Sequence, residues 1–290
     1  MSRTAARLVA AFLDAVNAMQ PRRQRGKTIA NLAAELDRRG TVVVPTARGS
    51  LRFLGHRGRH VAGALADFFG DEPETLAWID AMTPGEVLWD IGASFGQFAL
   101  YAAQRGVRVI AFEPKATSYA LLVEHLALNG LGDSVTPLPI ALSDGSGLTA
   151  LTLSSMEAGA AMNALAGSVD QWGRAAAGFS QKVQAMRMDD AVAVLGLPPP
   201  DHVKLDVDGA EARILRGGPE TLRGVYSVLV EVEGAQEHAA ATTLEPLLTA
   251  AGLTEDRAMR DQGSRRNRLF RRVGEAGSTA PAERGKTAPP

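Results

Sequence analysis

Residues 87–96 read Val-Leu-Trp-Asp-Ile-Gly-Ala-Ser-Phe-Gly, a short apolar run that closes on Asp90 and passes through Gly92 and Gly96 into a helix-forming segment. A run of this length, bounded by glycine, has the form of a strand buried on both faces of a parallel sheet. Four more runs follow: 107–113 (VRVIAFE), 135–141 (VTPLPIA), 202–208 (HVKLDVD) and 226–233 (YSVLVEVE). Helical patterns at 96–105, 117–129, 209–215 and 235–251 stand after most of them. This alternation predicts an α/β fold with a mostly parallel, doubly wound sheet. Residues 253–256 and 267–273 flank a polar turn with Gly263, which predicts a C-terminal antiparallel hairpin. The exception is the stretch from 141 to 202. Its Gly-, Ser- and Ala-rich part, 153–178, has little periodicity and is expected to be a lid or an insertion.

In an open parallel sheet, ligands bind beyond the carboxyl ends of the strands, so the residues that close each run are the ones to weigh. Gly92 permits a tight turn after Asp90, and Gly96 lets a helix start approach a ligand. Twenty-one positions after Gly92 stands Glu113, placed to accept the hydroxyl hydrogens of a ribose. A dinucleotide fingerprint needs G-x-G-x-x-G, and Ser94 occupies its middle glycine. The segment 92–96 also fits the G-x-S-x-G elbow of serine hydrolases, with Asp206 and His238 following in order. That alternative leaves Asp90 and Glu113 without roles, and only 41–45 upstream reads as a strand. A cofactor with a ribose but no pyrophosphate, such as S-adenosylmethionine, uses all of these residues.

Five blocks, taken in order, resemble the FkbM family of S-adenosylmethionine-dependent methyltransferases: 70–82 (GDEPETLAWIDAM), 87–103 (VLWDIGASFGQFALYAA), 109–114 (VIAFEP), 141–147 (ALSDGSG) and 201–218 (DHVKLDVDGAEARILRGG). The resemblance covers residues 70 to about 252. It implies a Rossmann-like class I methyltransferase fold in which Asp90, Gly92, Ala93, Ser94 and Gly96 hold the methionine and ribose portions of the cofactor and Glu113 its ribose hydroxyls. A helix start at Gly96 suits the cofactor's carboxylate, and Asp90 suits its cationic groups. Ser143 and Asp144 are expected to face the adenine, although Ser-Asp-Gly is also an ordinary turn. Thr75 is a further cofactor candidate on a segment that equally suits a plain helix start. Two departures stand out: the family usually has Asn at position 94, and Glu is common at 208.

For the chemistry, Asp206, Glu231 and His238 are the candidate bases, in that order, for an acceptor hydroxyl. Asp206 and Asp208 are expected to point the same way by the two-residue period of a strand. Asp208 and Glu211 alternatively cap the helix that follows. Glu231 and Glu233 share a face. These carboxylates could bind a divalent ion, but no histidine anchors the motif and no metal is assigned. The family's usual acceptors imply O-methylation of a carbohydrate or glycosylated natural product. A cofactor-binding interaction module without catalysis is the alternative from another class.

The 290 residues are 46% hydrophobic and 22% charged, and no apolar stretch approaches the roughly 18 residues of a membrane span, so a soluble protein is expected. The 31 basic and 32 acidic residues nearly cancel, leaving no global field to draw the chain to nucleic acid or anionic lipid. The expected partner is therefore a small molecule or glycan; a homo-oligomer stays open. The absence of cysteine removes disulfides and thiol nucleophiles and fits a reducing cytoplasm. Residues 1–69 read as an N-terminal helical extension: an amphipathic helix over 1–19, which at a glance resembles a signal peptide, a basic turn at 21–27, and a second helix over 28–39. Residues 70–273 form the methyltransferase domain, and 274–290 a disordered tail. His56 and His60, with Arg52, Arg57 and Arg59, read as a solvated basic loop. The cluster Arg260, Arg265, Arg266, Arg268, Arg271 and Arg272 reads as the exposed face of the hairpin or, alternatively, an anion-docking patch.

Overall fold

The computed structural model describes residues 3–166, 178–232, 240–260 and 264–272. The chain divides into two compact units, Met1–Phe68 and Phe69–Pro290.

The first unit opens with α1 (Arg3–Met19) and α2 (Arg22–Arg39). The second helix starts six residues earlier than the sequence suggests, so the basic stretch is helix rather than turn; Pro21, with φ −54°, stands at its N-cap. Nor is the unit helical throughout. Strands β1 (Thr41–Thr46) and β2 (Gly49–Leu54) form an antiparallel hairpin that buries Val44, Leu51 and Phe53, and α3 (Arg59–Ala66) follows a short 3₁₀ turn. The supposed basic loop is therefore ordered. The Asp37 carboxylate pairs with the His56 ring at 2.8 Å and accepts from Arg57 Nε at 2.8 Å.

In the second unit, helix α4 (Pro73–Asp80) precedes the central sheet. The sheet's parallel strands are β3 (Val87–Ile91), β4 (Arg108–Phe112), β5 (Val135–Leu138), β10 (His202–Leu205) and β11 (Ser227–Glu231). Strands β12 (Leu253–Glu255) and β13 (Asn267–Arg272) complete it as the expected antiparallel hairpin. The spatial order is β5-β4-β3-β10-β11-β13-β12, which is the doubly wound Rossmann-like arrangement. The chain winds outward from β3 to β5 and then returns to lay β10 on the other side of β3. That reversal is the topological switch point, where such sheets open a crevice at their carboxyl edge. Every residue of β3 is buried, and Trp89, Ile91, Phe112, Leu205 and Val230 lie in one apolar core.

The 135–141 run is not one strand. Pro139 supplies no amide hydrogen for a ladder, and the chain breaks there: β5 stays at the edge of the main sheet, and β6 (Ile140–Leu142) joins a second one. That sheet, in the order β6-β9-β7-β8, contains β7 (Gly147–Leu153), β8 (Ala164–Leu165) and β9 (Phe179–Met186), and α7 (Met188–Leu195) leads back to β10. The expected long loop is thus largely a folded insertion; residues 167–177 within it lie outside the described residues. Helix α5 (Gln97–Gln104) follows β3, α6 (Ala116–Asn129) follows β4, and α8 (Glu211–Arg216) and α9 (Pro219–Leu222) follow β10. Of the 235–251 helix, residues 240–250 are helical, and 235–239 lie outside the described residues.

Candidate functional site

The carboxyl ends of β3, β4 and β10 meet at the glycine turn. Gly92 and Ala93 both donate their amides to the Phe112 carbonyl, at 3.0 and 3.1 Å. Gly92 has φ +87°, and a Cβ there would stand 1.9 Å from the Asp206 carbonyl oxygen, so only glycine lets β3 and β10 approach this closely. Ser94, at φ +51°, occupies the left-handed region, where Asn and Gly are at less cost than Ser. Its amide donates to Glu113 Oε2 at 2.8 Å, and the Lys115 amide donates to Oε1 at 2.8 Å. Burial nevertheless pushes the Glu113 carboxyl up to about 7. At Gly96, φ +92° favours glycine at the start of α5, and a Cβ there would also press on the Leu122 and Leu100 methyls.

Asp90 sits one residue from the end of β3, almost wholly buried, and among the described residues its Oδ1 has no hydrogen-bond partner. Burial pushes its carboxyl up to about 6, against the pull of Lys204. Lys204 lies beside Asp90 across the β3–β10 register and donates to Asp206 Oδ2 at 2.6 Å. Burial works against the Asp206 charge, but the Lys204 ammonium and a hydrogen bond from Glu231 outweigh it and hold the Asp206 carboxyl low. The Asp206 charge, then burial, push Glu231 far above the carboxylate range. Asp206 is thereby favoured as the charged member of the pair and Glu231 as the neutral one. Thr75 lies behind this pair, fully buried, donating its hydroxyl to Glu72 at 2.8 Å. Asn267 Nδ2 donates to Glu72 and Glu74, at 3.0 Å each. Lys204, Glu72 and Asn267 were not singled out in the sequence; only the strands that flank Lys204 carried a signal.

Asp206 and Asp208 do not point the same way. After Leu205 the chain leaves strand geometry, and Asp208, at φ +32°, turns to accept the Asn163 amide at 3.0 Å. Burial pushes Asp208 up to about 6. Nor does Asp208 cap α8, whose N-cap Ala210 has no side-chain bond; Glu211 reaches back to the Gly209 amide at 3.1 Å, and burial pushes it up to about 7. Lys115 grips the same insertion through two carbonyls, Glu157 at 2.6 Å and Ala160 at 3.1 Å. Ser143 is buried, and its hydroxyl donates to Asp144 at 3.2 Å; Asp144 pairs with Arg213 Nε at 3.0 Å.

His238 and Glu233 lie outside the described residues. His202 is at the opposite edge of the sheet, bonded to Ser227 and Glu86, and the buried His125 ring meets the Phe95 carbonyl. The arginine cluster is mostly committed to the protein's own structure. Arg268 is buried against Glu255 and Glu245, Arg271 pairs with Asp256, Arg272 donates to the Val225 and Leu222 carbonyls, and Arg266 donates to Asp71. Among the described residues, no group of three or more His, Cys, Asp and Glu side chains is placed to hold a metal ion. Among the described residues, no helix is long and apolar enough to cross a membrane.

Residues 90–262 match the model of the methyltransferase FkbM domain. The chain is similar to hexuronic acid methyltransferase AglP of Haloferax volcanii, at 26% identity over 58% of this chain and 64% of that protein. It is also similar to 31-O-demethyl-FK506 methyltransferase FkbM of Streptomyces tacrolimicus, at 26% identity over 53% of this chain and 69% of that protein. The chain thus spans just under two thirds of the first relative's length. Among solved structures, an S-adenosylmethionine-dependent methyltransferase from Agrobacterium tumefaciens aligns at 11% identity with a TM-score of 0.42, covering 80% of this chain and 69% of that one.

Proposed function

This chain belongs to the FkbM methyltransferase family, and from that premise we propose that it methylates a hydroxyl oxygen of a carbohydrate or a glycosylated small molecule. Family membership makes S-adenosylmethionine its cofactor. The residues present fit that group. A cationic ligand suits a carboxyl edge carrying Asp90, Glu113, Asp206 and Glu231, and the unpartnered, buried Asp90 Oδ1 is an acceptor without a donor. In this reading Asp90 and the turn through Gly92, Ala93, Ser94 and Gly96 hold the methionine end. Glu113, whose oxygens retain lone pairs beyond the two amides, takes the ribose hydroxyls. Ser143 and Asp144 border the adenine, while Thr75 supports the site through Glu72.

When bound, the cofactor supplies a methyl group activated by its sulfonium. The protein's part is alignment, which supplies much of the rate in an in-line displacement, and proton removal from the acceptor. The observation that supports the oxygen acceptor is Asp206, which Lys204 bonds at 2.6 Å and holds low beside Glu231: a carboxylate favoured in its charged form can take the proton that a hydroxyl must lose and a cationic amine product need not. The named activities of the relatives, on a hexuronic acid and on 31-O-demethyl-FK506, favour the same class.

The test is mass spectrometry after incubation with methyl-labelled cofactor and a panel of hexuronides and hydroxylated glycosides. Label on a sugar oxygen is expected; label found only on nitrogen or on protein overturns the proposal. Asp90→Ala and Glu113→Ala should each weaken cofactor binding at least tenfold, and unchanged affinity in both refutes the site.

A further inference from the structure

Lys204 lies at the centre of this site, where an acceptor does not reach it. Its side chain is 3% exposed, whereas Asp206 and Glu231 keep 29% and 24% of theirs open. The carboxyl pair can be touched by substrate and the lysine cannot. Carboxylates converge on it from every neighbouring element: Asp90 from β3, Glu72 from the approach to α4, Asp206 from the end of β10, and Glu231 from β11. Phe98 of α5 covers the remaining side, with the ammonium 4.8 Å from its ring centroid. The nearest other cation, Arg266, is 3.9 Å from Glu231 and divides its charge with Asp71 at 2.8 Å. Asp208 also feels the Asp206 charge but turns toward the insertion. Among the described residues these four carboxyls therefore face one buried ammonium, with Arg266 assisting only at Glu231 and Asp206, and in a poorly hydrated site a carboxylate without a countercharge takes up a proton.

We propose that Lys204 is a positioning residue for methyl transfer: its buried ammonium fixes Asp206 as the charged member of the Asp206–Glu231 pair and aims that charge at the acceptor hydroxyl. The inference rests on the reading of this pair as the proton acceptor. In the step, the acceptor oxygen forms its bond to the methyl carbon as the carbon–sulfur bond breaks and its electron pair stays on sulfur. The hydroxyl proton passes to Asp206, so the pair ends with two protons and gives one to solvent afterwards. Lys204 keeps its charge throughout. Without it, the pair already holds its second proton at neutral pH and has no place for the acceptor's.

The experiment follows the side-chain carboxyl ¹³C signals of the full-length protein through a pH titration, with the Asp206 signal assigned from Asp206→Asn. Lys204→Met should raise the Asp206 midpoint from below the usual carboxylate range to neutral pH or above, and Lys204→Arg should restore it. With p-nitrophenyl glucuronide as the acceptor probe, Lys204→Met should lower kcat at least tenfold at neutral pH and recover it at alkaline pH. An unmoved midpoint, or a kcat loss equal at every pH, overturns the inference. A moved midpoint in a protein that transfers no methyl to oxygen supports the charge assignment and overturns the oxygen acceptor instead. Should Lys204→Met not fold, Lys204→Met with Glu72→Gln removes one charge of each sign and carries the same expectation.

Discussion

Replacing Gly92 by Ala tests the close approach on which the site is built. Two costs are separable. The first is conformational: at φ +87° an L-residue is disfavoured by roughly 1–2 kcal/mol. The second is steric. The new methyl would stand 1.9 Å from the Asp206 carbonyl oxygen, backbone that cannot swing aside as a side chain can, so the ends of β3 and β10 must part by about 1 Å to reach even a tight contact. That movement strains the 3.1 Å bond from the Asp206 amide to the Ile91 carbonyl, worth about 1 kcal/mol. Together these give a loss of about 2–3 kcal/mol in urea denaturation. Asp206 is displaced from Asp90 and Glu113 by the same movement, and misplacement of about 1 Å costs on the order of 100-fold in rate. Gly130→Ala is the control, because Gly130 has φ +64° but no atom within 4 Å of its virtual Cβ, leaving the conformational cost alone. If Gly92→Ala loses no more stability than Gly130→Ala and keeps its methyl-transfer rate, the strand ends do not touch as described and the reasoning fails.

Two further outcomes follow from buried charges. Burial holds Glu113 at about 7 against its usual 4.5, so the folded cofactor-free protein binds this proton more tightly than the unfolded chain does; stability should fall as pH rises from about 4.5 through about 7, by on the order of 1–3 kcal/mol. Glu113→Gln should flatten that part of the Tm–pH curve, and an identical slope in the variant would contradict the assignment. Arg268→Ala removes two 2.7 Å bonds from Glu255 and leaves it the longer contacts of Arg257 at 3.8 Å and Arg260 at 4.0 Å, and should cost about 2 kcal/mol. Arg271→Ala, breaking a more exposed pair with Asp256, should cost under about 1 kcal/mol; equal losses in chemical denaturation would show that burial does not set the difference.

What could be read in the sequence is what local pattern controls. The apolar runs ending at Ile91, Phe112, Leu205 and Glu231 form parallel strands, and the residues that close them do line one edge of the sheet. The failures have particular causes. Asp206 and Asp208 were paired by strand period, yet the chain leaves that period at Leu205 and sends them apart. The second sheet was hidden because β7, with the sequence GLTALTL, shows only a weak burial alternation, and β8 is two residues long. Lys204 looked like an ordinary cation in a strand, since its surroundings come from Glu72, Asp90 and Glu231, elements scattered through the chain. Asn267 reaches Glu72 across 195 positions, a separation at which spacing carries no information.

The way the insertion is fastened has an implication for how this site can change. Lys115 holds it by the Glu157 and Ala160 carbonyls, and Asp208 by the Asn163 amide, so the latch grips only main-chain atoms. Main-chain atoms are the same whatever side chain they carry. Exposed positions such as Met156 and Ala161 can therefore change side chain while the hold of Lys115 and Asp208 stays intact, whereas Ala158 and Ala160 are buried and Gly159 has φ +75°. Side-chain identity at these exposed positions and the integrity of the fold are thereby separable traits.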